Sequence, residues 1–328
     1  MIEERVKLRC YEGLDLGNWD KSRRRVVAIG AFDGVHFGHQ RLISAARDQA
    51  HEDGAELVVL TFWPPPQVLL QPGRGARLLC TRRQKAGLMR DLGVDSLVTL
   101  SFDRDLAGMS AEHFARGILW EQLGVDQVFV GYNFTFGRDS GGDAETLKAY
   151  GADLGFGVRV LPPVRFGDCT ISSTRIRRRL EEGRVRSAAE LLGRPFSIEG
   201  PVVYGEGRGG RQVGYPTANL RPSEMVMLPR EGVYAVQVHL EENPSEPHPG
   251  VASVGGRPTF VRSEDRPGVE VHILGFEGDL YGSEMKVVFR RRLRDLRAFS
   301  SPEALSEQIG RDIEASWGSS DHNAAGGS

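Results

Sequence analysis

The sequence predicts an α/β doubly wound parallel sheet followed by a small antiparallel β-barrel domain with a C-terminal helix. Three observations carry this. In the first half, apolar strands alternate with amphipathic helices that stop at glycines, the pattern of a parallel sheet covered on both faces. Beyond Gly193 the strands follow one another with no long helix between them, as in a compact barrel. Near the end, Ser301-Pro302 opens a last helix whose apolar stripe is Leu305, Ile309 and Ile313.

In order, a short strand over Val6 to Cys10 precedes the first strong one, Val26 to Phe32. Asp33-Gly34 then makes a tight turn, and His36, Gly38 and His39 run into a helix with Leu42, Ile43, Ala46 and Ala50 on its apolar face. A strand that runs through a glycine turn into a helix is a phosphate-binding geometry, because free N–H groups and the positive dipole end face the ligand. Two imidazoles in the first helical turn add donor groups there. The next strand is Leu57 to Phe62, and Pro64, Pro65 and Pro66 predict an extended loop. Helices over Arg82 to Leu92, Ala111 to Leu123 and Ala144 to Leu154 alternate with strands over Ser96 to Ser101, Gln127 to Gly131 and Gly157 to Leu161. Ligands of such sheets bind beyond the strand C-terminal ends. His36, His39 and the run Gly131-Tyr132-Asn133-Phe134 fall there. Ser172, Ser173 and Thr174 can cap a further helix with Arg175 in its first turn. Alone, that stretch reads as a capped connecting helix, and the same groups suit a triphosphate.

The second half begins after a short helix, Ala188 to Leu192, capped by Ser187 and ended by Gly193. Strands are expected over Phe196 to Tyr204, Gly232 to Leu240, Gly250 to Val254, Val269 to Phe276 and Glu284 to Leu293. Gly205, Gly207, Gly209 and Gly210 form a glycine-rich loop with no Gly-Lys-Ser/Thr after it. Pro216-Thr217-Ala218-Asn219 by itself reads as a turn. Alternation sets Glu270 and His272 on one strand face; taken alone, Glu270 is a solvent-facing residue. Arg290 to Arg292 read as barrel surface. The expected domains are 1–193 and 194–317, with 318–328 a disordered tail.

The totals narrow the class. The 328 residues carry a net charge of −2, which gives no case for nucleic acid or an anionic membrane. Three scattered cysteines suggest neither a disulfide framework nor a zinc site. No apolar run spans a membrane and MIEERVKLRC is not a signal peptide, so a soluble cytoplasmic protein is expected.

The four stretches GAFDGVHFGHQ, TFWPPP, GYNFTFG and ISSTRIR together resemble the FMN adenylyltransferase domain of bacterial bifunctional flavin-synthesising enzymes. The glycine loop plus PTAN resembles the ATP–magnesium site of riboflavin kinases. The resemblance covers roughly residues 26–313. It implies that riboflavin is phosphorylated to FMN and that FMN is then adenylylated to FAD with release of pyrophosphate. It also implies ATP as co-substrate in both steps and Mg²⁺ as cofactor. In the adenylyltransferase, His36 and His39 would stabilise charge at the α-phosphate. Gly30, Phe32, Asp33, Gly38, Ser172, Ser173, Thr174 and Arg175 would bind ATP, and Asn133 and Phe134 the flavin. In the kinase, Gly205, Gly207, Gly209, Pro216 and Thr217 would bind ATP, Thr217 and Asn219 the metal, and Arg294 would border the flavin. Glu270 would be the general base for the ribityl hydroxyl. The partners implied are the small molecules riboflavin, FMN and ATP, for a monomer or weak homo-oligomer. The chain departs from the family pattern at Pro65, Ser140, Gly275 and Leu296. Two alternatives stand beside the bifunctional reading: an adenylyltransferase with a weakened kinase half, and a non-catalytic flavin-binding regulator.

Overall fold

In a computed structural model of the chain, the described residues are 8–14, 19–20, 22–70, 77–204, 217–243, 245–255, 268–276, 278–297, 307–308 and 310–312. They fall into two compact units, Met1–Ser173 and Thr174–Ser328.

Six strands build the sheet of the first unit: β1 (Arg9–Glu12), β2 (Arg25–Ile29), β3 (Glu56–Trp63), β4 (Ser96–Ser101), β5 (Gln127–Gly131) and, after a small hairpin of β6 (Thr135–Phe136) and β7 (Gly142–Asp143), β8 (Gly157–Leu161). Their order is β1-β4-β3-β2-β5-β8 and every pair is parallel. The chain runs outward from β2 through β3 to β4, then returns to the other side of β2 at β5. The gap beyond the ends of β2 and β5 is therefore the switch point, where such sheets bind ligands.

Period-two alternation sorts the strand residues between two cores. Val26 and Ala28 of β2 face α1 (Phe37–Glu52), whose Leu42, Ile43 and Ala46 pack with Val59, Phe129 and Met89. Val27 and Ile29 face the other layer, where Phe114, Ile118, Leu119 and Leu147 cover Val58, Leu60 and Val128. Met89 belongs to α3 (Arg82–Asp91) and Leu147 to α6 (Ala144–Leu154). Two short helices, α2 (Pro66–Leu70) and α4 (Arg104–Gly108), follow β3 and β4.

Several expected bounds shift, each for a local reason. The first strong strand stops at Ile29, because Phe32 takes a left-handed conformation at φ 47°. The three prolines do not make one extended loop: Pro66 opens α2, where a missing N–H costs nothing. The helix over 111–123 is α5 (Ala111–His113) running into a π-helical stretch (Phe114–Leu123), closed at Gly124 with φ 60°. The N-terminal strand lies later than expected, at the sheet edge against β4.

A hairpin of β9 (Arg165–Phe166) and β10 (Cys169–Thr170) leads to α7 (Ser173–Glu181) and α8 (Val185–Leu192). The division between the units falls in the first turn of α7, ahead of Gly193. The reason is that both helices attach to the second unit: Arg230 N–H donates to Leu180 O at 2.8 Å, and α8 packs on the last barrel strand. Ser187 lies inside α8 rather than capping it, whereas Gly193 ends it at φ 72°.

The barrel is closed and antiparallel, in the order β11 (Ser197–Val203), β12 (Thr217–Leu220), β15 (Val269–Ile273), β14 (His248–Val254), β13 (Gly232–Leu240) and β16 (Glu284–Arg294), which pairs back with β11. Ile198, Val236, Ala252, Val271, Val287 and Phe289 are buried in it. One strand is additional to the expected set: Thr217–Leu220 is β12, not a turn, because it is paired with strands on both sides. Arg292 is not barrel surface: its side chain is 20% exposed and donates to Glu231 O at 2.7 Å. Residues 307–308 and 310–312 are helical; the expected helix start at Ser301, and the tail, lie outside the described residues.

At the far end of the sheet from the switch point, Arg25 and Glu56 are buried together, 3.6 Å apart. Glu56 also accepts from Arg9 at 2.9 Å and from Ser96 Oγ at 2.5 Å. Removing one partner of such a pair leaves a buried uncompensated charge. Glu56→Ala should therefore cost about 3–5 kcal/mol in denaturant unfolding of the first unit.

Candidate active sites

The loop after β2 is held in a conformation that ordinary residues avoid. Phe32 (φ 47°) and Val35 (φ 41°) are both left-handed without being glycine. Each such residue costs about 1–3 kcal/mol, so the surroundings must over-determine it. They do. Thr61 Oγ1 donates to Ala31 O at 3.2 Å, and Lys85 Nζ donates to the same oxygen at 2.7 Å. Asp33, 4% exposed, accepts from Leu79 N–H at 2.9 Å through Oδ1. Gly34 N–H donates to Cys80 Sγ at 3.3 Å, and Gln40 Nε2 to Val35 O at 2.8 Å. Gly30 is needed for a steric reason: a Cβ there would meet the Phe32 ring at 3.1 Å.

This loop delivers His36 as the N-cap of α1. His36 Nδ1 accepts from His39 N–H at 3.3 Å, which makes Nε2 the proton-bearing nitrogen of that ring. The two imidazoles stack, with centroids 3.5 Å apart and planes 13° off parallel, and Phe32 meets His39 edge-on at 5.2 Å. His36 therefore caps the helix instead of lying in its first turn. Gly38 leaves room for this: a Cβ would touch His36 Cε1 at 3.2 Å. A sixteen-residue helix thus begins at the switch point with its dipole and an imidazole pair on the same spot.

Ser173 joins this site, its Oγ donating to Asp33 O at 3.1 Å. Ser172 precedes it, half-buried; Thr174, exposed, and Arg175, half-buried, continue α7 into the second unit. Past the neighbouring strand end, Asn133 is exposed and Phe134 stacks on Phe136 at 5.5 Å. A Cβ at Gly131 would lie 3.5 Å from Asn133 Oδ1.

In the barrel, register brings the second set together. Asn219 on β12 is the direct partner of Glu270 on β15, and Thr217 is the partner of His272. Thr217 and Asn219 share one face by their spacing of two, as do Glu270 and His272. Glu270 is exposed, whereas His272 is 9% exposed. The glycine loop, with Gly205, Gly207, Gly209 and Pro216, lies outside the described residues. Arg294 is clasped by Asp312, with Nε donating at 3.0 and 3.1 Å and the second arm at 2.6 Å; Gln308 donates to the same carboxylate at 2.9 Å. One departure from the family pattern has a local reason: Gly275 takes φ 66°, where a side chain is strained; nothing in the structure explains leucine at 296.

The sequence reading missed Lys85, Thr61 and Cys80. A signal for the first existed. Lysine is scarce in this chain, and Lys85 lies one helical turn before Met89 on the stripe that α3 buries.

Thr217 and Asn219 offer hard side-chain oxygens beside a carboxylate, a donor set that suits Mg²⁺ together with phosphate oxygens. Among the described residues no group of three or more His, Cys, Asp or Glu could hold a metal. No described helix is long and apolar enough to cross a membrane.

Fold and sites define a nucleotidyltransferase-type α/β unit joined to a kinase-type closed barrel. The FAD synthetase family profile matches residues 19–175, and the riboflavin kinase profile matches residues 192–317. A bifunctional riboflavin kinase/FMN adenylyltransferase of Pseudomonas fluorescens is 39% identical over 88% of this chain and 91% of its own length. The protein of that description from Escherichia coli is 37% identical over 88% and 90%. Among solved structures, one from Streptococcus pneumoniae, described as a macrolide-efflux protein, superposes with a TM-score of 0.82 at 32% identity, covering 94% of this chain and 98% of that one. The chain belongs to the bifunctional riboflavin kinase/FMN adenylyltransferase family.

The steric role of Gly38 is testable. Gly38→Ala should push the His36 ring off its cap and lower FAD formation from FMN roughly 10- to 100-fold in a steady-state assay, with FMN formation from riboflavin unchanged.

Proposed function

We propose that this chain phosphorylates riboflavin to FMN in its barrel and adenylylates FMN to FAD in its α/β unit, using ATP for both. The observation that supports the reading is that each unit gathers one set of groups suited to phosphate: His36, His39 and Ser173 around the pinned loop, and Thr217 and Asn219 beside Glu270 and His272. Residues 1–193 serve adenylylation and 194–317 phosphorylation.

In the barrel, Glu270 takes the proton of the terminal ribityl hydroxyl as that oxygen attacks the γ-phosphorus, and ADP leaves. Thr217 and Asn219 would hold Mg²⁺, which when bound would neutralise phosphate charge. Gly205, Gly207, Gly209 and Pro216 complete the ATP site. Arg294, anchored by Asp312, borders the flavin.

In the α/β unit, an FMN phosphate oxygen attacks the α-phosphorus of ATP in line, and the bond to pyrophosphate breaks. That reaction needs positioning and charge stabilisation more than covalent help. His36 and His39 donate to oxygens of the reacting phosphates, as do the first amides of α1. Gly30, Phe32, Asp33 and Gly38 shape the ATP-binding loop. Ser172, Ser173, Thr174 and Arg175 bind the departing pyrophosphate, and Asn133 and Phe134 contact the flavin. The reading carries with it a cytoplasmic location and a monomer or weak homo-oligomer.

Product chromatography with riboflavin and Mg-ATP tests it. His39→Ala should lower FAD formation by about 10²–10⁴-fold while FMN accumulates, and Glu270→Ala should lower FMN formation by a similar factor yet still convert supplied FMN. Equal loss of both activities in both folded variants would refute the two-site assignment. Chelation of divalent cations should stop both steps, and Asn219→Ala should raise the Mg²⁺ concentration needed by the kinase alone.

A further inference from the structure

Lys85 is a buried cation that the reaction scheme leaves without a task. It is 2% exposed on α3, whose start is fixed by the Thr81–Gln84 capping box. Its Nζ donates to Ala31 O at 2.7 Å and to Thr61 Oγ1 at 3.2 Å, and lies 5.7 Å from the Trp63 ring centroid. Ala31 is the last residue before the left-handed turn at Phe32. The segment bearing Lys85 touches that loop twice more, through Leu79 N–H to Asp33 and through Cys80 Sγ from Gly34 N–H.

Burying an ammonium is costly, and an unbranched apolar side chain would fill the same channel without that cost. What lysine adds is a strong donor aimed at one carbonyl, and a positive charge beneath a phosphate-binding loop. The carbonyl of Ala31 belongs to the peptide unit whose nitrogen is that of Phe32. Fixing its orientation restricts the backbone rotation that would let Phe32 relax to an ordinary conformation. His36, His39 and the first amides of α1 follow from that turn.

We propose that Lys85 is the positioning residue of the adenylyl-transfer site, holding the Ala31 carbonyl so that the strained loop presents the imidazole pair and the helix amides to the triphosphate. This rests on the nucleotidyl-transfer reading of that site. Lys85 touches no reacting atom, so its loss acts through geometry and should lower kcat more than it raises KM. Burial pushes its ammonium below the ordinary lysine range. Cys80 and Asp33, which face it from the segment before α3 and from the loop, pull it back up, while Arg82 on α3 pushes it further down. The facing residues of β3, Thr61 and Trp63, carry no charge. The charged form exists below the lowered pKa and is lost as pH rises through it, so adenylylation should show an alkaline limb that depends on this side chain.

The test uses the full chain and its two activities. Lys85→Met should keep the kinase rate and the melting temperature near those of the unaltered chain, lower kcat for FAD formation from FMN and ATP by roughly 10- to 100-fold, and remove the alkaline limb. Lys85→Gln, which retains a donor without the charge, should fall between them. Adenylylation within about two-fold of the unaltered chain in either folded variant would overturn the proposal. So would a loss of both activities in parallel with melting temperature in Lys85→Gln, which marks a purely structural lysine. If the unaltered chain makes no FAD from FMN and Mg-ATP while still phosphorylating riboflavin, the nucleotidyl-transfer reading itself fails.

Discussion

The constraint on which the N-terminal site depends is the left-handed turn at the end of β2. Phe32 and Val35 occupy backbone conformations that side chains disfavour, and no single contact would hold them there. Five neighbours do it jointly: Thr61 and Lys85 at Ala31, Leu79 at Asp33, Cys80 at Gly34, and Gln40 at Val35. In exchange for that strain the chain leaves its strand, reverses direction, and starts α1 with His36 already folded back onto its first turn. The parallel sheet makes this possible. Its switch point provides a gap beyond the ends of β2 and β5 into which the loop and the helix end can both face.

On the proposed reading, the two units would meet the same chemical demand by different means. In the first, the candidate donors lie at a helix terminus and in a pair of stacked imidazoles, so one short segment would supply most of the site. In the second, the groups lie on two neighbouring antiparallel strands, and register alone decides that Asn219 faces Glu270 and Thr217 faces His272. A slip of one residue would turn both pairs to the opposite face of their strands and carry the exposed Glu270 inward. The closed barrel resists such a slip, because every strand is paired on both sides and Val271 and Ala252 are locked inside.

How much of this was legible follows from the range of the interactions involved. The strands Gln127–Gly131 and Gly232–Leu240 and the helix Ala144–Leu154 stand where their patterns predict, since periodicity and glycine stops are local signals. The turn expected at Pro-Thr-Ala-Asn shows the opposite case. Its residues favour turns when taken alone, yet partners on both sides draw Thr217–Leu220 into the barrel as β12. Pro66 opening α2 and Ser187 inside α8 are smaller instances, in which packing chose among residues that each permit two outcomes.

By itself the sequence determined the two-part architecture, the apolar faces of the long elements and the motifs at the ends of β2 and β5. Those depend on the side-chain order along one segment, which folding does not rearrange. Only the tertiary structure decided that Ser173 reaches Asp33 from far down the chain, that Arg294 is clasped by Asp312, and that the ammonium of Lys85 lies under Ala31, 54 residues away. Such contacts join segments whose individual patterns carry no information about one another. They exist because the sheet order and the helix packing bring their backbones within hydrogen-bonding distance.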